Sequence, residues 1–260
     1  MEIAGRAALI TGGAAGIGLA TARRLAEEGM RVCVVDVDED AARTAAEAVG
    51  GVAIAADVSD PDQVDAAFQR CVETFGGLDL AHLNAGVALA WSGDLAELDL
   101  ADYRRWIGVN LDGVVFTARA AVRALRRGGP GAPHKALIAT ASISGLEPFY
   151  PDPVYAAGKH AVVGLLRSMA PNLAAEGISC QVICPGLTDT GMLPAGAKGS
   201  LSRAGIPVAT PEEIAEAVVL AATSPIATAG ACWVCHPAQP PFAFEFNSAP
   251  GPHRAVNVHR

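Results

Sequence analysis

Apolar residues follow two rhythms along this chain. Short runs rich in β-branched residues alternate with longer segments in which apolar positions recur every three or four residues. "AALITGG" (7–13) reads as a strand entering a glycine turn, and "GLATARRLAEEGM" (18–30) as an amphipathic helix ended by Gly29. "RVCVVDVD" (31–38), "GVAIAADVSD" (51–60) and "LDLAHLNAG" (78–86) predict further strands, separated by helices over 39–50 and 61–77. The second of these helices carries Pro near its start and Gly at its end, as helix termini prefer. Long helical patterns near 100–127 and 152–176 flank the strand "KALIATAS" (135–142). A sixth strand over 178–186, a helix over 210–224 and a last strand over 230–236 complete the series.

This alternation predicts one α/β domain over 1–236, a doubly wound parallel sheet of about seven strands with helices on both faces. The stretch 187–209 is rich in Gly, Ala and Ser and reads as a flexible loop, expected to act as a mobile lid. The stretch 237–260 reads as a Pro-rich, irregular tail. Phe242, Phe244 and Phe246 alternate in it, so an extended chain would put all three on one face. They could cover either their own subunit or a neighbouring one.

Composition narrows the function classes. Of 260 residues, 51% are hydrophobic and 18% charged, which suits a compact globule. The net charge is −8 and no Lys/Arg run occurs, so neither nucleic acid nor an anionic membrane is an expected partner. The N-terminus shows no basic segment followed by a long apolar one, and no apolar run reaches the ~18 residues of a spanning helix. A cytoplasmic protein is expected, with its six cysteines reduced. Cys33 and Cys184, inside apolar strands, should pack as small hydrophobes.

The chemistry begins at "TGGAAGIG" (11–18). Gly12, Gly16 and Gly18 lie between strand and helix, where backbone N–H groups can hold a diphosphate. Asp36 ends the second strand about 20 residues on, where a carboxylate binds a ribose 2′-OH and repels a 2′-phosphate. Val37 follows it, and no Lys or Arg stands in the glycine turn, which favours NAD over NADP. The plainer role for Asp36 is to cap the turn after it. In "YAAGK", Tyr155 and Lys159 share one face of a helix. An ammonium nearby favours the phenolate, which brings the tyrosine toward general acid–base use. Ser142, at the end of a strand, can hydrogen-bond a substrate oxygen.

In these motifs the chain resembles the short-chain dehydrogenase/reductase family over about residues 3–236. The matching features are "TGGAAGIG", Asp36, "DV" (57–58), "NAG" (84–86), Asn110 in "VNLDG", Ser142, "YAAGK" and "PGLTDT" (185–190). The resemblance implies a Rossmann-like fold and roles for each position. Tyr155 would be the general acid/base. Lys159 would tune it and hold the nicotinamide ribose, Ser142 would orient the carbonyl, and Asn110 would hold a water in a proton relay. Gly12, Gly16, Ile17, Gly18, Asp36, Val37, Asp57, Val58, Asn84, Ala85 and Gly86 would bind the cofactor. Pro185, Gly186, Thr188 and Thr190 would pin its nicotinamide. The resemblance also implies a homo-oligomer, ordinarily a tetramer, with a dimer as the alternative. Three departures stand out. Leu83 stands where a second Asn is common, Thr188 replaces Val or Ile, and His82 replaces an aliphatic residue; His82 is read as a packed core histidine.

The expected activity is NAD-dependent interconversion of a secondary alcohol and a ketone. The candidate pocket residues are Trp91, Ser144, Phe149, Tyr150, Leu187 and Met192, mostly apolar, which suits a hydrophobic or aromatic substrate. Two alternatives are a 3-oxoacyl-carrier-protein ketoreductase and a non-catalytic NAD(H)-binding regulator. A third idea comes from "ACWVCHP" (231–237), which has the C-x-x-C-H spacing of a haem or metal motif. On a strand its two cysteines lie roughly 10 Å apart, beyond the ~7 Å a disulfide spans, and on opposite faces. No metal is expected there.

Overall fold

The protein is described here from a computed structural model, over residues 3–88, 93–127, 135–193 and 196–247. The first half runs β1 (Ala7–Thr11), α1 (Gly16–Glu27), β2 (Arg31–Asp36), α2 (Glu39–Ala48), β3 (Val52–Ala55), α3 (Pro61–Phe75), β4 (Leu80–Leu83), α4 (Leu100–Ile107) and α5 (Gly113–Arg127). The second half runs β5 (Lys135–Thr140), α6 (Pro153–Ala175), β6 (Ile178–Pro185), α7 (Ala197–Arg203), α8 (Pro211–Thr223), β7 (Cys232–Cys235) and β8 (Phe242–Ala243). Among the described residues, no helix is long and apolar enough to cross a membrane.

The strands form one sheet in the order β3-β2-β1-β4-β5-β6-β7-β8. β1 to β7 are parallel, because helices carry the chain back across the sheet each time. The order reverses between β1 and β4, and the crevice at the carboxyl ends of those strands is where a doubly wound sheet takes ligands.

Side chains alternate between two apolar layers. Leu9 of β1 joins Phe68, Leu125 and Leu166 in the layer under α3, α5 and α6. Its neighbours Ala8 and Ile10 join Leu25, Ala42 and Val218 under α1, α2 and α8. All eight residues of β6 are buried, as both faces of a central strand must be. Cys232 faces the first layer and Cys235 the second, as a strand period requires. All six cysteines are free thiols, and no three His, Cys, Asp or Glu side chains converge on a metal position among the described residues.

Three expectations need correction. The helix expected near 100–127 is interrupted by a five-residue π turn, Gly108–Asp112, between α4 and α5. The loop expected over 187–209 contains α7, and Thr188 bridges Ala209 at its base. The tail is not irregular from its start: Phe242–Ala243 adds an eighth, antiparallel strand to β7. Pro240 and Pro241 hide so short a strand from the sequence, but the open edge of β7 has amides and carbonyls to pair, and Phe244 N–H also donates to Cys232 O at 2.8 Å. Phe244 packs on the first core layer. Phe246 meets it edge-on at 4.8 Å, under the Arg167 guanidinium of α6.

Candidate active site

β1 delivers the chain into the glycine turn with Gly12 and Gly16 both in the left-handed region, at φ +62° and +50°. A Cβ added at Gly18 would lie 2.0 Å from the Gly12 carbonyl oxygen, so glycine is what lets α1 close onto the turn. Ile17 anchors the same turn in the second core layer. α1 also starts without a cap: Ala15 offers no side-chain acceptor, and no acid stands in the first turn. By contrast, α2, α3, α4, α6 and α8 begin on Asp38, Asp60, Asp99, Asp152 and Thr210, each accepting a backbone N–H. The amides and the positive dipole end of α1 are thus left for an outside anion, and a diphosphate fits that demand.

Of the other expected cofactor residues, Asp36, Asn84, Ala85 and Thr190 touch this turn. Asp36 lies at the end of β2, its carboxylate accepting from Ala14 N at 3.1 Å and Asp38 N at 3.3 Å. It therefore braces the glycine turn and caps the following one, while Val37 beside it is 72% exposed. Asp57 accepts from Ser59 N and Oγ, and Val58 is buried against Gly113. Asn84 donates to the carbonyls of Thr11 and Gly12, and the Thr11 hydroxyl accepts from the N–H groups of Asn84 and Ala85. Gly86 lies so close to Asn110 that a Cβ would fall 2.8 Å from its Oδ1. Past Pro185, Gly186 N donates to Cys235 O, and the Thr188 hydroxyl donates to Gly186 O at 3.1 Å. The Thr190 methyl would be 3.2 Å from a Cβ at Gly16, so the start of the segment after β6 rests on the glycine turn.

Ser142, Tyr155 and Lys159 meet at the carboxyl end of β5. Ser142 is buried, donates to Pro185 O at 3.5 Å and accepts from Ser144 N at 3.1 Å, with the Tyr155 phenol near enough to feel its hydroxyl. Asp152 caps α6 by accepting from Tyr155 N at 2.8 Å, which sets the tyrosine in the first helical turn. One turn on, Lys159 Nζ donates to Thr140 O at 3.2 Å and lies 5.7 Å from the Tyr155 ring centre. Burial raises the Tyr155 pKa above its ordinary value. The nearby Ser142 hydroxyl works against that, while Asp152 and Cys184 add to it. Burial also brings Lys159 down to about 8. Without a ligand the net direction for the phenol is thus upward, led by desolvation, while the Lys159 ammonium is held on the Thr140 carbonyl. Asn110 is buried in the π turn, where its amide donates to Val87 O and Trp106 O and accepts from Val87 N. Single π turns of this kind are frequent at functional sites.

On the substrate side the picture is looser. Phe149 meets the Tyr155 ring edge-on at 6.2 Å, and Ser144 is buried next to Ser142. Tyr150, Leu187 and Met192 are exposed, Tyr150 at 89%. Trp91 lies outside the described residues.

Two contributors escaped sequence reasoning. Trp106 is fully buried, edge-on to Tyr155 at 6.1 Å, and fills the space above Gly158, where a Cβ would come 2.4 Å from its ring. Its position four residues before Asn110 on a helical pattern, and the glycine inside "YAAGK", are the only signals that could have suggested it. Thr140 bridges Lys159 and Asn84 through its carbonyl and its hydroxyl, and nothing in its local sequence marks it.

The family model described as short chain dehydrogenase matches residues 6–199. The chain is 38% identical to cis-4-hydroxycyclohexanecarboxylate dehydrogenase of Sinomonas cyclohexanicum, over 84% of this chain and 89% of that protein. It is 37% identical to cyclohexanol dehydrogenase of Acinetobacter sp., over 72% and 73%. Among solved structures, a short chain dehydrogenase from Burkholderia cenocepacia in complex with NADP superposes with a TM-score of 0.80 at 31% identity, over 90% of this chain and 98% of that one. The 3-ketoacyl-(acyl-carrier-protein) reductase of Brucella melitensis, complexed with NADH, has a TM-score of 0.80 at 27% identity, over 89% and 96%.

Proposed function

The chain belongs to the short-chain dehydrogenase/reductase family, and from that premise we propose that it is an NAD(H)-dependent oxidoreductase interconverting an apolar, alicyclic secondary alcohol and its ketone. The observation that carries the reading is the meeting of Ser142, Tyr155 and Lys159 at the end of β5, beside an uncapped helix start. A nicotinamide dinucleotide in this crevice supplies or accepts the hydride. The chain's own residues then handle the oxygen and its proton. Ser142 holds the substrate oxygen next to the phenol, and Tyr155 gives it a proton in the ketone direction or takes one in the alcohol direction. The raised phenol pKa keeps Tyr155 protonated at rest, ready as an acid. The Lys159 ammonium is the charge that can favour the phenolate when the reaction runs the other way. Asn110, fixed in its π turn, keeps the role of a relay toward solvent.

NAD is favoured over NADP because Asp36, at the end of β2, is followed by Val37 and no Lys or Arg stands in the glycine turn, so neither offers a cation to a 2′-phosphate. Phe149 beside the Tyr155 ring, the exposed Tyr150, Leu187 and Met192, and the ring alcohols in the names of the relatives support an alicyclic substrate. The test is a panel of cyclohexanols, hydroxysteroids and linear secondary alcohols with NAD and with NADP, followed at the nicotinamide absorbance. Turnover of cyclic alcohols with NAD at least about tenfold better than with NADP is expected. No turnover of any alcohol would overturn the reading. Preference for a 3-oxoacyl thioester with NADPH would replace it by a carrier-protein ketoreductase, the activity named for one structural neighbour.

A further inference from the structure

β4 is an apolar strand with one exception. Leu80, Ala81 and Leu83 are buried, and so is His82, fully, between Ile10 of β1 and Ile138 of β5. An aliphatic side chain would suit that place. The imidazole instead leaves its Nδ1 with no partner, one of three such buried side-chain atoms among the described residues. Its other nitrogen, Nε2, lies 2.8 Å from the Thr140 hydroxyl.

The proton order along this contact follows from its far end. Asn84 Nδ2 donates to the carbonyl oxygens of Thr11 and Gly12, which fixes the amide with Oδ1 toward Thr140. The Thr140 hydroxyl gives its single proton to that Oδ1 at 3.1 Å. His82 must therefore donate from Nε2–H, and its bare Nδ1 faces the core. Burial supports the neutral ring, pushing its pKa down to about 3. Thr140 in turn offers its backbone carbonyl to Lys159. One histidine thus stands behind a threonine whose hydroxyl meets Asn84, itself bonded to the glycine turn, and whose backbone carbonyl holds Lys159.

We infer that His82 is a positioning residue: by donating to Thr140 it commits the Thr140 proton to Asn84, and so holds the glycine turn in the shape that binds the dinucleotide. Without this donor the Thr140 hydroxyl can turn away, and the Asn84 amide loses the partner that holds its oxygen. The inference rests on reading the glycine turn as a dinucleotide seat.

The experiment compares the parent with H82L, H82Q, T140V and T140S by NADH titration, by steady-state kinetics, and by nitrogen-15 spectra of labelled histidine. The parent spectrum should show His82 protonated on Nε2 only, with an N–H that exchanges slowly and exchanges faster in T140V. NADH affinity and the KM for NAD should worsen about tenfold in H82L and T140V, with kcat changing less. H82Q, which keeps a donor, and T140S, which keeps the hydroxyl, should each recover affinity to within about threefold of the parent. The double variant H82L/T140V should bind no worse than T140V, since the two act as one unit. Parent-like NADH binding by H82L, additive losses in the double variant, or Nδ1 protonation would overturn the inference alone. A parent that binds no NADH would overturn the dinucleotide reading and this inference with it. The spectra would still report the His82–Thr140 contact and tell the two failures apart.

Discussion

Two helices start at the same edge of the sheet and do so in opposite ways. α1 opens on Gly16 with no capping side chain and no acid in its first turn. α6 opens on Asp152 and Pro153, with the aspartate accepting the Tyr155 amide. An open start keeps backbone donors and a partial positive charge for a ligand. A closed start makes the helix end rigid enough to carry side chains that do chemistry. The site is the space between them. In the proposed reaction, backbone and glycine on the α1 side would do the binding, and hydroxyl, phenol and ammonium on the α6 side the proton work.

That contrast can be broken at either helix. Tyr155→Phe removes the proton donor and leaves α1 untouched. It should lower kcat/KM by about a thousandfold or more while NADH affinity stays within about threefold. A matching loss of NADH affinity would show that the two ends are not separate. Lys159→Met probes the burial of the ammonium. In the unfolded chain the lysine keeps its proton to 10.5, in the fold only to about 8. Between those values the unfolded chain binds more protons, so the lysine's contribution to stability is complete above the upper value and is lost as pH falls through the lower one. Parent stability relative to Lys159→Met should therefore rise from pH 8 to pH 10, by at most about 1.4 kcal/mol per pH unit. Urea unfolding at three pH values measures it, and a flat difference would mean that the ammonium is not desolvated.

Ala15→Asp would give α1 the cap it lacks. Thermal stability should hold or increase, while NADH binds about tenfold more weakly because a carboxylate occupies the anion's place. Equal NADH affinity would remove the meaning given to the open start. The mildest change is Asp152→Ala. It should cost about 1 kcal/mol, or about 2–4 °C in thermal midpoint, with a few-fold fall in kcat as the first turn of α6 loosens around Tyr155. A fall in NADH affinity larger than the fall in kcat would reverse the division of labour.

Much of this site was legible before any fold was known, and the reasons are local. "TGGAAGIG" reads as a turn because two of its glycines must adopt left-handed backbone and a third must let α1 approach the Gly12 carbonyl. "YAAGK" reads as a pair because helical spacing puts Tyr155 and Lys159 one turn apart. What stayed hidden was set by residues far apart in sequence. Trp106 meets Gly158 across 52 positions, and His82 reaches Asn84 only through Thr140 on the neighbouring strand. The π turn at Gly108–Asp112 replaces ordinary helix in a pattern whose periodicity hardly changes. The resting tyrosine is a further case: spacing placed an ammonium near the phenol, but burial, which spacing does not measure, decides the direction of its pKa.

By itself the sequence determined the parallel sheet, the glycine turn, the order of the motifs and the residue types available for proton transfer, because each follows from periodicity and short-range backbone geometry. Only the tertiary structure decided which helix start is left open, how Thr140 ties Lys159 to Asn84, and that the tail closes the sheet with an eighth strand. Those outcomes depend on hydrogen bonds and burial between segments that meet only after the sheet has formed. In β7, "ACWVCHP" looks like the most chemical stretch of the chain, yet the fold sends Cys232 and Cys235 into opposite core layers.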